Sequence, residues 1–217
     1  PIQSPLLNQS LESAQQKVEA YYFETRKQLF EYDQALTMQR NGVYNERRRI
    51  LQREDVRDWI IEYAERSLYD LVLYLKEIDK LNGSIELYNL KIQELLGIPF
   101  KVISNTNEFE LDKTFAFLRQ QFQISYDLKE VEIESIEPGL MRELERTFLL
   151  QQIDYSWKEH LQKISFLRDS IRWRAYGQKD PLTEYKKEAF NFFITMLTRI
   201  RHRVIYFVLR SKIVLDT

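Results

Sequence analysis

The sequence has no cysteine, and only five glycines and five prolines among 217 residues. A disulfide framework and a thiolate metal site are therefore excluded. A β-rich chain of this length needs many more turn-forming residues, whereas long helices with few connections need few. The composition predicts an all-α fold. The spacing of apolar residues and of helix-start signals divides this fold into a long helix, a small helical unit and an antiparallel two-helix hairpin.

Groups that support catalysis or ligand binding are also scarce. No two of the five glycines are close in sequence, so neither a P-loop nor a dinucleotide-binding loop is present. His160 and His202 are the only histidines, and their spacing does not fit a zinc site. We interpret His160 as a partly buried histidine with a hydrogen-bond partner. We therefore predict no catalytic residue, no metal site and no cofactor in this chain.

Apolar runs are too short for a membrane-spanning helix, which needs about 18 residues or more. Residues 1–10 lack the charged and apolar regions of a signal peptide. Charge is uneven along the chain: residues 1–53 carry +2, residues 54–139 carry −9 and residues 140–217 carry +6. The basic final third could approach an anionic surface, whereas the acidic middle third could not.

The sequence pattern of the first third of the chain predicts one long helix. From Gln9 to Gln52 there is no proline and one glycine, and a helix of that length would measure roughly 65 Å. Two apolar stripes at helical spacing run along it. One stripe includes Leu11, Val18, Tyr22, Leu29 and Ile50, and the other includes Phe23, Phe30, Tyr44 and Leu51. Two apolar stripes on one helix indicate packing partners on two sides. The rest of this chain is too small to cover both stripes.

The remainder predicts further helices. Asp55 can cap an amphipathic helix that continues to Ile78, and a shorter helix is expected over residues 85–96. Asn107 and Glu110 resemble a capping box, which would open another helix that continues through Phe122. Two long helices follow, from about Leu140 to Ile171 and from Pro181 onward. Asp180 before Pro181 is a helix-start signal, and the short connection makes the two helices antiparallel neighbours.

Two stretches resemble the SecA family of protein translocase motors. Residues 17–33, with Gln39, Arg40, Tyr44 and Arg47, resemble its helical scaffold. A more specific match begins at Asp154-Tyr155-Ser156-Trp157-Lys158-Glu159-His160-Leu161. It continues through Arg174-Ala175-Tyr176-Gly177-Gln178-Lys179-Asp180-Pro181, which resembles the tip of the SecA two-helix finger. The resemblance covers most of the chain in order, while residues 54–139 match only in position and helical character.

The resemblance implies a division into three parts. Residues 1–53 would be the scaffold helix, residues 54–139 the helical wing, and residues 140–217 the two-helix finger that returns onto the scaffold. Such an arm would couple ATP hydrolysis in the parent protein to the movement of unfolded preproteins through a SecY-type channel. It would pack against the parent's nucleotide-binding and preprotein-binding domains, help to form the preprotein clamp and lie peripherally at the membrane. ATP and Mg²⁺ would bind elsewhere in the parent, so the chain alone should be inactive.

The resemblance also implies which residues act. Tyr176 would contact the translocating polypeptide, together with Trp173, Arg174, Gln178 and Lys179, while Asp180 and Pro181 would start the second finger helix. An aromatic ring offers contact area without a fixed hydrogen-bond pattern, which suits a moving peptide of variable sequence. Abundant Ile, Phe, Tyr and Asn slightly favour the stroma and thylakoid membrane of a plastid over bacterial cytoplasm and plasma membrane.

Two alternatives fit the helical pattern. A non-enzymatic helical scaffold or coiled-coil interaction module would show the same periodicity, and only the fingertip sequence separates it from a translocase arm. A basic helical nucleic-acid binder could use the arginines at 47–49 or at 199, 201 and 203. Because no recognition motif accompanies them, we interpret these arginines as solvated or as ion-paired with the acidic middle third.

Overall fold

The computed structural model describes residues 5–79, 90, 92–93, 111–171 and 180–211. Every long element in these ranges is an α-helix, which confirms the predicted all-α class. We number the five helices in chain order. They are α1 (Pro5–Gln52), α2 (Arg57–Asp79), α3 (Leu111–Glu134), α4 (Leu140–Ile171) and α5 (Pro181–Arg210).

Contacts divide the chain into two compact units. The first unit comprises residues 1–43 and 162–193, and the second comprises residues 44–161 and 194–217. Helices α1, α4 and α5 therefore contribute to both units. The division at residues 53 and 139 into scaffold, wing and finger stays a prediction, because contact density does not test functional parts.

The first unit has a small apolar core between the α4 and α5 segments. Its buried members recur at helical spacing on each segment, as expected of two antiparallel helices that bury facing stripes. The core residues are Ile164, Leu167 and Ile171 on α4, and Tyr185 and Ala189 on α5.

The second unit contains α2, α3 and the remaining parts of α1, α4 and α5. Asp55 caps α2 as predicted, since its Oδ1 accepts a hydrogen bond from the Arg57 backbone nitrogen at 2.8 Å. Helix α2 packs against α3. The α4 and α5 segments pair in an antiparallel sense, because Phe148 stacks on Phe207 at 5.8 Å while Glu159 meets Arg199.

Helix boundaries differ from the sequence prediction in two places. Helix α1 begins at Pro5 rather than near Gln9. Helix α3 continues to Glu134, through a stretch that the sequence pattern left unassigned, because Tyr126 and Ile133 extend its buried face. The predicted short helix at 85–96 lies outside the described residues apart from residues 90, 92 and 93, and the predicted capping box at 107–110 lies wholly outside them. Residues 100–104, which are mostly apolar, include β-branched residues and are therefore expected to be extended, also lie outside them.

None of the helices in the described ranges has the combination of length and apolarity that a membrane-spanning helix requires.

Candidate functional site at the end of the helical hairpin

The predicted contact residues fall between α4 and α5. Trp173, Arg174, Tyr176, Gln178 and Lys179 lie in 172–179, outside the described residues. What the structure describes is the pair of helices that flank this segment, and the contacts that hold those helices in place.

The start of α5 is closed by local hydrogen bonds. The Asp180 Oδ2 accepts from the Thr183 backbone nitrogen at 3.0 Å and from the Thr183 hydroxyl at 2.5 Å. Pro181 takes the first helical position, where a backbone N–H would have no acceptor within the helix, so its absence costs no hydrogen bond. The hydrogen bonds from Thr183, side chain first, hold the pKa of the exposed Asp180 carboxyl below its usual value. The helix start at 180–181 is therefore well defined.

Helix α1 packs on this end of the hairpin through a short segment. Tyr32, Ala35 and Leu36 contact the core of the first unit. The rings of Tyr32 and Tyr185 lie 4.8 Å apart at an interplanar angle of 56°, a favourable tilted arrangement. Burial raises the pKa of the Tyr185 hydroxyl, so this tyrosine stays neutral at physiological pH.

Two polar contacts accompany the apolar ones. Arg168 on α4 lies 3.6 Å from the Asp33 carboxylate, with both side chains about half exposed. Gln39 donates from Nε2 to the backbone carbonyl of Ala189 at 3.1 Å in a partly buried setting. Neither contact was predicted from the sequence, in which Gln39 was singled out only by the resemblance to the helical scaffold. No sequence signal marks a helical carbonyl 150 residues away as an acceptor.

Much apolar surface of the first unit stays exposed. Phe166 on α4 is 74% exposed and Phe190 on α5 is 58% exposed. The two predicted apolar stripes of α1 are exposed over most of this unit, which agrees with the inference that their partners lie outside the chain. The exposed α1 residues are Leu11, Val18, Tyr21, Tyr22, Phe23, Leu29, Phe30 and Met38.

A separate polar cluster lies within the second unit, where the start of α4 meets α3. Glu145 is fully buried, and it accepts a hydrogen bond from the Tyr126 hydroxyl and contacts the Arg142 guanidinium. Arg142 also pairs with Glu130 and lies 3.7 Å from Asp55. Burial raises the pKa of Glu145, while the Tyr126 and Arg142 contacts oppose that rise. This cluster was not foreseen, although the Arg142–Glu145 spacing of three is a helical ion-pair signal.

Arginines of both clusters form ion pairs, one of them with the acidic middle third as expected, whereas His160 is more deeply buried than the sequence suggested. Arg47 makes two hydrogen bonds to Asp154, and Arg201 pairs with Asp70 of the acidic middle third at 2.8 Å. His160 is buried, and its ring lies 5.5 Å from that of Trp157. The ion pairs occupy these two arginines, which weakens the case for a phosphate-binding surface.

Comparison with known proteins identifies the family. The model of the SecA Wing and Scaffold domain matches residues 1–212. The chain belongs to the SecA wing and scaffold family. A protein translocase subunit SecA from Emiliania huxleyi is 64% identical over the whole chain, and the chain covers 24% of that relative.

Further SecA relatives match almost as completely. Proteins named protein translocase subunit SecA from Porphyra purpurea and a Nostoc strain are 48% and 45% identical, over 98% and 95% of this chain. The relatives thus come from algae and cyanobacteria. The chain spans about a quarter of the length of the curated SecA proteins it matches.

Proposed function

We propose that this chain is the arm of a SecA translocase motor that carries motion from ATP hydrolysis to an unfolded preprotein in a SecY-type channel. The observation that carries this proposal is the match of the whole chain to proteins named as SecA translocase subunits. ATP and Mg²⁺ bind in the remaining three quarters of the parent protein. The motor works at a plastid or bacterial membrane, in keeping with relatives from algae and cyanobacteria.

Within this arm, the α4–α5 hairpin acts as a lever and the segment 172–179 as its tip. Two supports come from the structure: facing apolar stripes join the helices at this end, and Asp180 caps α5 directly after the tip. Tyr176 grips the polypeptide, while Trp173, Arg174, Gln178 and Lys179 contact polypeptide or channel. Residues 1–53 link the lever to the ATPase domains, and residues 54–139 help to enclose the preprotein.

The test of this proposal is Tyr176→Ala in the full-length translocase. We expect preprotein translocation to fall at least several-fold while basal ATP hydrolysis stays near that of the parent. Tyr176→Phe is the matched control, because it keeps the ring area and loses only the hydroxyl; it should retain most of the activity. Equal loss of translocation and hydrolysis in Tyr176→Ala would indicate a folding role and contradict the proposal.

The exposed apolar surface of α1 favours a second candidate, a helical interaction module without a motor role. In the first proposal, other domains of the parent cover that surface. In the second, another helical protein does. The Tyr176 experiment separates the two, because a pure interaction module gives Tyr176 no role in translocation.

A further inference from the structure

Gln39 makes an unusual contact for a residue in the middle of a long helix. Its side-chain amide reaches across to another helix and donates to the backbone carbonyl of Ala189 at 3.1 Å. Ala189 is buried, and its small side chain leaves the backbone carbonyl within reach of the Gln39 amide. That carbonyl lies inside α5 and has a second lone pair available beyond the helical hydrogen bond. Gln39 therefore adds a bond that α5 does not need for its own helical structure.

The surrounding contacts explain what this bond contributes. Tyr32, Ala35 and Leu36 pack on the hairpin core through apolar surface, and apolar attraction is not directional. A slide of one helix past the other by one residue is a shift of about 1.5 Å, which apolar contacts can tolerate. A hydrogen bond cannot, because it weakens steeply beyond its narrow range of distance and angle. Among the contacts between α1 and α5 described here, the Gln39 bond is the one most sensitive to sliding.

A second contact gives the packing a direction. Tyr32 meets Tyr185, and seven residues later on α1 Gln39 meets Ala189, four residues later on α5. Residue numbers rise together along both helices, so α1 and the α5 segment of this unit run in the same direction. Two contacts at separate positions on each helix define both the direction and the register of the packing.

We propose that Gln39 is a positioning residue that fixes the register of the hairpin end on α1. This rests on the proposed function, in which α1 moves the hairpin and the tip moves the polypeptide. If the hairpin end slides along α1, part of the movement of α1 is not passed on to the hairpin tip. Losing the Gln39 bond should therefore lower the amount of preprotein moved per ATP hydrolysed, and leave the fold and the hydrolysis site unchanged.

The test is Gln39→Leu in the full-length translocase, which keeps similar volume and removes the donor. We expect the amount of preprotein translocated per ATP hydrolysed to fall about three- to ten-fold, with basal hydrolysis and thermal midpoint near those of the parent. Gln34→Leu is the matched control, since Gln34 is an exposed glutamine on the same helix, and it should leave this ratio unchanged. An unchanged ratio in Gln39→Leu would overturn the inference, as would a loss explained by a lower thermal midpoint.

A spectroscopic readout tests register independently of activity. Spin labels at the exposed positions 28 on α1 and 187 on α5 report the distance between the two helices of this unit. Gln39→Leu should broaden that distance distribution, and Gln34→Leu should not; an equally narrow distribution in both contradicts the inference. Tyr176→Ala in the same translocation assay keeps the two proposals apart. If Tyr176→Ala is impaired and Gln39→Leu is not, only the positioning role fails. If Tyr176→Ala is fully active, the proposed function fails.

Discussion

At the scale of single residues, the most demanding interaction is the buried contact between Arg142 and Glu145. Glu145 is 0% exposed, and the Tyr126 hydroxyl donates to its carboxylate. A charge taken out of water is tolerated only when its partners replace the lost hydration. Arg142 also donates to the Tyr126 oxygen at 2.8 Å, which makes the three side chains one network. Removing one of the three side chains therefore leaves the other two with unmet hydrogen bonds or an unpaired charge.

Arg142→Met should accordingly destabilise the protein strongly. It leaves Glu145 buried without its cationic partner, and breaking a buried pair in this way costs about 3–5 kcal/mol. Arg66→Met is the control, because Arg66 pairs with Glu62 and both side chains are exposed, where a pair contributes about 1 kcal/mol or less. Chemical denaturation monitored by circular dichroism measures both. Similar losses in the two variants would show that the Arg142 network does not stabilise the second unit.

Part of the residue-scale picture was predictable. Asp55 and Asp180 were expected as helix starts because capping needs only a carboxylate followed by free backbone N–H groups a few residues later. The Gln39–Ala189 and Tyr126–Glu145 contacts were not predictable. Both depend on which helix faces come together, and helical periodicity gives the faces of each helix without giving their pairing.

At the scale of elements, the connection between α3 and α4 depends on one backbone conformation. Gly139 has a φ of 88°, in the left-handed region that favours glycine. Its backbone nitrogen donates to the Glu134 carboxylate at 2.7 Å, and Met141 donates to the same carboxylate at 3.2 Å. Glu134 thus caps α4 from the end of α3, and the geometry of that cap requires the turn at Gly139.

Gly139→Ala should therefore lower stability, and Gly42→Ala should raise it. A Cβ at either position meets no atom within 4 Å, so neither change causes a clash. Gly139→Ala imposes left-handed strain of about 1–2 kcal/mol. Gly42 lies inside α1, where alanine is better than glycine by about 0.5–1 kcal/mol. Opposite shifts in the denaturation midpoint are expected. Shifts of the same sign would contradict this account of the turn.

The bounds of a helix were predicted well where its apolar residues recur clearly at helical spacing, and poorly where they do not. The bounds of α4 were predicted at Leu140 and Ile171, where the structure has them. Helix α3 was predicted too short, because Leu128 and Val131 are exposed apolar residues that blur the period between Tyr126 and Ile133. Exposed apolar residues of this kind make a helical stripe hard to recognise without knowing which side is covered.

At the scale of the whole molecule, the apolar stripes of α1 were the sequence feature that best indicated packing partners outside the chain. Their exposure in the first unit agrees with an arm that packs on further domains, and the relatives are about four times as long as this chain. All-α class and family membership both followed from the sequence. The partners of those stripes could not be identified from periodicity, because an apolar face shows that a partner exists without showing its identity.

The central claim is that the tip between α4 and α5 touches the moving polypeptide, and site-specific photocrosslinking tests it most directly. A photoreactive phenylalanine analogue replaces Tyr176 in the full-length translocase, and position 166, an exposed phenylalanine on the body of α4, serves as the control. During ATP-driven translocation we expect position 176 to crosslink to the preprotein and position 166 to crosslink far less. If translocation remains active but position 176 does not crosslink to the preprotein, or crosslinks no more than position 166, the account is contradicted.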